Sequence, residues 1–350
     1  MTTSDHDETR HDSQAPTQTP APEARPATGP GNTAVFTYVD PRTGEETYLT
    51  RVSGPGLPHV EYQGWSDLNG LGVPAGNVLA VHTDLSPSSL PGGYTLDALS
   101  AAFPTASLSS SHPYGTDPAE RTAGVAALTA QVESMAQLTG QAPPPRPHRP
   151  PLPDAASTPP ASLSDGLSGN LPDRIPVLRY DSALVAGVPL PDAARATLTG
   201  TGLPADIRFF FTADRPDSPP AGGLFTDAAT HLRELGAELT PAAVEVLSAH
   251  TRIGTDGRYV ITVQQEAGSV WAANPATGSG RYVNASAAAF AHSLAALSAT
   301  RDLMLGMNPY EAGAAVADLQ DRLFALDATC FDDPGNWWSV IVEQMWHGLF

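Results

Sequence analysis

Residues 83–95, with the sequence TDLSPSSLPGGYT, decide the fold of the first half of this 350-residue chain. They continue from a short apolar strand predicted at residues 78–81 and run into a turn rich in Pro and Gly. This stretch places two hydroxyl side chains, Ser88 and Thr95, seven positions apart. Its Gly92-Gly93 pair is too short to form a phosphate-cradling loop, so we predict no nucleotide site of that type.

The residues around this stretch resemble the zinc-binding segment of nucleic-acid and nucleotide deaminases found in bacterial toxin systems. In that branch the pattern is Thr-Glu-Leu-x-Pro-Cys, a few residues, Gly-Gly-Tyr-Cys, then a Phe-Pro pair and a Tyr-Gly turn. The continuation is matched by Phe103-Pro104, by His112-Pro113-Tyr114-Gly115, and by Arg121 and Gly124. The similarity covers roughly residues 60–130 and implies a mixed α/β fold.

The resemblance also implies a zinc ion with three soft or imidazole ligands and a carboxylate that moves protons. Ser88 and Thr95 stand at the two cysteine positions, and a hydroxyl is a poor zinc ligand because it stays protonated at neutral pH. The family's His-x-Glu element is expected just before residues 72–74. Asp67 echoes its Glu there, but Trp65 stands at the ligand position. We therefore predict a deaminase fold that has lost its metal and its catalytic residues.

Three histidines, His59, His82 and His112, remain as possible ligands, although this placement puts none of them in the family's positions. The simpler interpretation is that His82 and His112 are surface or hydrogen-bonded histidines. A zinc-dependent deaminase with a rebuilt ligand set is the alternative hypothesis. It predicts stoichiometric zinc and release of amine from cytidine- or adenosine-type substrates.

The second half, residues 174–350, is predicted to form an α+β domain. Its predicted strands and helices are a strand at 207–211, a strand at 258–264 after a Gly-Thr-Asp-Gly turn, strands at 269–273 and 281–283, a helix that begins at 284–286 with Phe290, Leu294 and Leu297 inside, and a last helix at 336–350. Cys330 is predicted to be a buried thiol.

Three stretches of this half together resemble the fourth branch of the SUKH immunity family. They are the Gly-Leu-Pro at 202–204, the segment 281–286 with Asn284 and Ser286 leading to Phe290, and the helix that begins at Trp337-Trp338. Membership implies a sheet-and-helix fold that binds and neutralises toxins of bacterial conflict systems. It implies no catalytic residues.

The predicted fold class is therefore α+β with two domains joined by a Pro-rich linker. The boundaries are a disordered tail at 1–33, a degenerate deaminase-like domain at 34–140, the linker at 141–173 and a SUKH-like domain at 174–350. The tail has no aromatic residue and no Val, Ile or Leu, and ten prolines fall within the linker.

Composition restricts the partners. The formal net charge is −19, with 18 basic residues, all of them Arg, and this Arg, Ala, Pro and Gly bias suits a GC-rich, actinobacterial-type genome. An acidic chain repels phosphate backbones, so no nucleic-acid partner is predicted.

No apolar run reaches the ~20 residues that span a bilayer and no secretory signal is recognised, so no membrane partner and a cytoplasmic location are expected. With one cysteine, neither an internal disulfide nor a multi-cysteine metal site can form.

The leading hypothesis is a binding protein without a cofactor whose partner is a protein toxin, either a basic nuclease or a deaminase toxin. If the second domain binds through an aromatic and acidic surface, the candidates are Trp337, Trp338, Asp332 and Asp333, although core packing is the better interpretation for at least one of the two tryptophans. A scaffold that holds two partners through two independent domains is a further alternative.

Overall fold

The computed structural model describes residues 25–350, apart from residues 157, 160, 162, 164–165 and 168–170. Most of the predicted disordered tail, residues 1–24, lies outside the described residues. The end of that tail differs from the prediction, because Ala27 is only 1% exposed and exchanges two backbone hydrogen bonds with His148. Ala27 packs closely on the backbone of Gly313. Small residues provide this packing, so the absence of large apolar residues from the tail did not predict it.

The first half folds around a four-stranded sheet with the order β2-β1-β3-β4. Its elements are β1 (Thr33–Val39), β2 (Glu46–Val52), α1 (Val60–Gly70), β3 (Val78–Leu85), α2 (Thr95–Ala102), β4 (Ser107–His112) and α3 (Pro118–Leu138). β1 is antiparallel to β2 and β3, whereas β3 and β4 run parallel, with α2 in the crossover between them. This mixed α/β arrangement is the one predicted, although β3 continues beyond the predicted strand to Leu85.

The second half contains a six-stranded sheet with the order β12-β11-β10-β9-β8-β7 and a two-stranded ladder of β5 and β6. Its elements are β5 (Val177–Leu178), α4 (Ser182–Val185), α5 (Asp192–Ala196), β6 (Leu203–Pro204), β7 (Asp206–Ile207), β8 (Phe211–Ala213), α6 (Ala228–Glu234), α7 (Pro241–Ser248), β9 (His250–Thr255), β10 (Val260–Gln264), β11 (Val270–Ala273), β12 (Gly280–Asn284), α8 (Ala287–Met304), α9 (Pro309–Leu326) and α10 (Trp337–Trp346). The pairs of the six-stranded sheet are antiparallel, so the half is α+β, as predicted.

One hydrophobic core joins the two halves. Its members from the first half are Leu85, Leu90, Tyr114, Val125 and Leu128, and from the second half it takes the buried faces of α8, α9 and α10. A smaller separate core lies in the first half around Phe36. The two predicted domains are therefore packed on shared side chains, and the halves are not independent modules.

Two predicted apolar patterns are only partly correct. The run at 207–211 is broken by Phe209, whose φ of 75° makes a turn between β7 and β8. The apolar spacing after Pro118 predicts a helix from 118 to 138 with Val125, Leu128 and Leu138 on its buried face. Along α3, Val125 and Leu128 are buried but Leu138 is 80% exposed. The periodicity therefore predicted the helix correctly and overstated the length of its buried face.

The described part of the predicted linker packs on both halves. Arg146 forms an ion pair with Glu133 of α3 at 2.6 Å, Arg149 donates to the side chain of Gln320 in α9 at 2.7 Å, and Leu167 is fully buried. These contacts do not fit a spacer without contacts of its own. A Pro-rich chain is already stiff and loses little conformational entropy when it docks.

Among the residues that the structure describes, no helix is both long and apolar enough to cross a membrane.

Candidate functional site

The start of α1 carries a His-x-Glu element that the sequence prediction did not use. His59 is the N-cap of this helix and Glu61 lies in its first turn, so His59-Val60-Glu61 forms a His-x-Glu element. The His59 side chain is 6% exposed and Glu61 is 3% exposed. Among the described residues, His59 Nε2 and Glu61 Oε2 have no hydrogen-bond partner. The sequence prediction placed this element just before residues 72–74, whereas the geometry favours the His-x-Glu sequence at the start of α1, which lies beside the Gly-Gly-Tyr loop.

The loop between β3 and α2 brings the two hydroxyl positions together beside His59. The Ser88 backbone N–H donates to Thr95 Oγ1 at 3.1 Å, and both residues are buried. A Cβ on Gly93 would lie 3.2 Å from His59 Nε2 and 3.3 Å from Thr95 Cγ2. Gly93 therefore allows the loop that carries Ser88 and Thr95 to approach the imidazole.

The second half covers this site. The ring of Phe350 lies 4.7 Å from the His59 ring, centroid to centroid, and Gln344 Nε2 donates to the Pro91 carbonyl at 2.7 Å. A Cβ on Gly92, which has a φ of 96°, would touch Gln344 and Phe350. The Gly-Gly-Tyr motif thus packs against side chains of α10 and of the residues that follow it.

Asp256 links the motif to the second half. Its carboxylate accepts from the Tyr94 hydroxyl at 2.6 Å and from Trp337 Nε1 at 3.0 Å, and Asp256 Oδ1 accepts from the Tyr259 amide at 2.7 Å. Asp256 is 2% exposed. Burial raises its pKa, and the hydrogen bonds from Tyr94 and Trp337 oppose that rise.

Other motif residues of the first half also contact α10. Arg121, 1% exposed, forms an ion pair with Glu343 at 2.6 Å and donates to the Thr116 carbonyl at 2.7 Å. The Tyr114 hydroxyl lies 2.8 Å from His347 Nδ1, and burial, reinforced by nearby Arg121, lowers the pKa of His347 to about 3. The residues that resemble a deaminase active site therefore form an intramolecular interface.

The residues present do not fit the zinc ion that the deaminase resemblance implies. His59 is the one ligand-type side chain at the three ligand positions, since Ser88 and Thr95 carry hydroxyls that remain protonated at neutral pH. Across the described residues, no group of three or more His, Cys, Asp or Glu side chains is arranged to hold a metal ion. Burial, with a smaller contribution from the charge of Arg301, lowers the pKa of His59 to about 3, so this imidazole is neutral.

Glu61→Gln is expected to stabilise the protein at pH 8 and to change its stability little at pH 4.5. Burial raises the pKa of Glu61 from 4.5 to about 7, so between these values the folded state binds more protons than the unfolded chain. Stability therefore falls as the pH rises through this window, by about 3 kcal/mol over its full width. Gln keeps the shape of the side chain and removes this dependence.

Urea unfolding of both proteins at pH 4.5, 6 and 8 measures the difference. The exposed Glu45→Gln variant controls for the loss of one negative charge. A Glu61→Gln effect of equal size at all three pH values would contradict the raised pKa of Glu61.

Other candidates of the first half lie outside this cluster. Asp67, predicted to echo the catalytic Glu, forms a half-exposed ion pair with Arg51, six positions beyond Glu61 in α1. His82 contacts Ser109 at 3.0 Å, and His112 contacts the side chain of Gln131 at 2.8 Å. His82 and His112 thus have hydrogen-bond partners, as expected, whereas His59 lies beside the loop that carries Ser88 and Thr95.

The family-motif residues of the second half build the start of α8. Ser286 is its N-cap and accepts from the Ala289 amide. Asn284 is fully buried, donates to Asp327 at 3.0 Å and accepts from Trp338 Nε1 at 2.8 Å. Phe290 is fully buried. These three residues therefore hold the β12–α8 connection against α10, which is a structural role.

The two tryptophans proposed for a partner surface are buried. Trp337 and Trp338 are each 0% exposed, because their indole N–H groups donate to Asp256 and Asn284 inside the core. The expectation that one of them lies on the surface was wrong, since both faces of α10 are covered. Asp332 and Asp333 are exposed, and of the four candidates only this pair is accessible to a partner.

Two family models match the chain, one over each half. A family model described as SUKH-4 immunity protein matches residues 134–344, and one described as Xanthomonas-like deaminase matches residues 29–131. The first match begins before the predicted linker and includes it. No curated protein and no solved structure matches the chain.

Proposed function

Because this chain belongs to the SUKH-4 immunity protein family, we propose that it is an immunity protein that binds and neutralises a protein toxin of a bacterial polymorphic toxin system. The observation that carries the proposal is the family match over residues 134–344, more than half of the chain. An immunity protein acts by binding, and such a role requires no catalytic residue.

We further propose that the deaminase-like half is catalytically inactive. Ser88 and Thr95 replace both thiolate ligands, and Phe350 packs on the remaining ligand-type side chain, His59. The retained Glu61 would have no metal-bound water to act on. In this proposal the half serves as a structural partner of α10, which uses the former active-site loop as its docking surface.

The partner in this proposal has a basic surface, as a nuclease or deaminase toxin that handles nucleic acid would have. A net charge of −19 favours encounter with a positive surface. Asp332 and Asp333 lie side by side and exposed before α10, so we place the first contact there. An intracellular toxin would be met in the cytoplasm.

The test uses the full-length chain as bait, because the two halves share one core. A protein captured from the source cells is expressed alone and together with the chain, and growth is measured. Under this proposal, co-expression restores growth that the captured protein alone suppresses. A toxic partner that binds but stays toxic would contradict immunity, and stoichiometric zinc with amine release from the chain itself would favour the deaminase alternative.

Replacement of both Asp332 and Asp333 by Asn is expected to slow association with that toxin about threefold at low salt, with a smaller effect at high salt. The double variant Glu45→Gln and Glu46→Gln makes the same change in net charge at exposed positions of the first half. Stopped-flow or biosensor association rates compare the two. Equal rates for the two variants would reject the acidic pair as the contact and leave only a general charge effect.

A further inference from the structure

A cavity separate from the β3–α2 loop of Ser88 and Thr95 lies where the two halves meet near the end of α8. Its volume is about 380 Å³, and its walls come from the loop that precedes α1, from the β7–β8 turn and from α8. The walls include Leu57, Arg174, Arg208, Ser298 and Arg301. Three of the 18 arginines of an acidic chain therefore line one cavity.

Two buried polar groups in the wall of this cavity lack partners. Within the described part of the chain, neither Arg301 Nε nor Ser298 Oγ makes a hydrogen bond, and Ser298 is 3% exposed. A buried donor without a partner costs about 1–3 kcal/mol, and more when it is charged. Two such groups line one cavity, and the described residues supply no partner for either.

The positive charge of the cavity is also only partly compensated. Arg174 pairs with Asp302, and Asp206 accepts from Thr212 at 3.0 Å. Arg208 and Arg301 form no ion pair with any carboxylate of the described residues. Burial lowers the pKa of Arg301 to about 10, which still leaves its guanidinium charged at neutral pH.

Aromatic rings hold the Arg301 guanidinium in place. Its Cζ lies 4.9 Å from the centroid of the Phe210 ring and 5.9 Å from that of Phe350. Arg208 lies over Phe209, 4.7 Å from its centroid. A guanidinium fixed in this way loses little entropy when it binds, and its planar fork matches the oxygens of a phosphate or a carboxylate.

We propose that this cavity is a binding site for a small molecule bearing a phosphate or carboxylate group, with Arg301 and Ser298 as its buried donors and Arg208 at its mouth. The site uses residues of the loop before α1 and of α8, so an occupied cavity would also hold the two halves together. It does not involve Ser88, Thr95 or Glu61, and its existence is independent of toxin binding.

The test measures the melting temperature and the binding heat of the full-length protein with inorganic phosphate and, separately, with succinate, each against sodium chloride at equal ionic strength. A ligand that binds only the folded state raises the melting temperature with concentration. An upward shift of several degrees with either anion, absent in chloride, is expected. A response to phosphate alone identifies a phosphate ligand, and a response to succinate alone a carboxylate ligand. No shift and no heat with either anion would overturn the proposal.

Two variants locate the response. Arg301→Met keeps the length of the side chain and removes the buried charge, so the anion-dependent shift should disappear while the ligand-free melting temperature is kept or raised. Arg208→Gln, at the mouth, should weaken binding at least threefold without affecting folding. The exposed Arg233→Gln in α6 is the control and should respond like the original protein. A full anion response in both cavity variants would show that the anion binds elsewhere.

Discussion

Cysteines introduced together at Ser88 and Thr95 are expected to give the protein about one bound zinc ion per chain, where the original protein carries far less. The two positions lie close together in space, as the hydrogen bond from the Ser88 amide to Thr95 Oγ1 shows. His59 Nε2 points to the same loop, is buried, and has no partner among the described residues. Two thiolates and a neutral imidazole form the three-ligand set of a zinc deaminase.

Metal analysis after purification without chelator measures this effect directly. The matched control is Ser100→Cys with Ser109→Cys, which adds two thiols at exposed positions. Addition of His59→Ala to the Ser88 and Thr95 pair should lower the zinc content again, because two ligands alone hold the ion weakly. Equal zinc in the cysteine pair and its control would mean that the ligand geometry, and not only the ligand chemistry, has been lost.

The replacement Asp256→Ala is expected to destabilise the whole chain by about 3–5 kcal/mol, a large part of the 5–15 kcal/mol typical of folded proteins. It leaves the Tyr94 hydroxyl and the Trp337 indole N–H buried without their acceptor. These donors belong to the two different halves, and both halves share one core. We therefore expect a single unfolding transition that shifts as a unit.

Denaturant unfolding followed by tryptophan fluorescence and by circular dichroism checks this expectation. Asp217→Ala is the matched control, since Asp217 forms an exposed pair with Arg215, and such pairs contribute 1 kcal/mol or less. Two separate transitions, with only one of them shifted, would contradict the single cooperative unit.

Local patterns predicted several of the elements, although α1 and α2 were not among them. Pro118 and the periodic apolar residues after it gave α3 with the bounds observed, and Ser286 was among the predicted caps of α8. The three strands between 258 and 284 also follow from alternation and turns, whereas β9 was not predicted. These features depend on neighbours within a few residues, which a single sequence contains.

The relation between the halves could not be predicted in the same way. Trp337 and Trp338 alternate across a helix, and such a pair normally has one exposed member. Both are buried because distant segments pack around α10, and Asp256 and Asn284, more than 50 positions away, accept their N–H groups. The Pro-rich segment was predicted to be a spacer because its contacts lie outside it, with Glu133 13 positions from Arg146 and Gln320 171 positions from Arg149.

The sequence predicted only part of the candidate site. The hydroxyls at 88 and 95 were recognised because the Gly-Gly-Tyr motif lies between them. His59 and Glu61 were not chosen because the sequence prediction placed the His-x-Glu element just before residues 72–74. In the structure His59 lies next to Gly93, so the element at 59–61 is the candidate that the geometry favours.

The shared core also has a consequence for the order of synthesis. Leu85, Leu90 and Tyr114 pack with Trp346 and Leu349, which are made roughly 230–260 residues later. At about 5–20 residues per second, the ribosome needs about 12–50 s to supply them. During that interval the first half exposes apolar side chains that nothing yet covers, so the nascent chain is a natural client for chaperones, and its final folding step must wait for α10 to emerge.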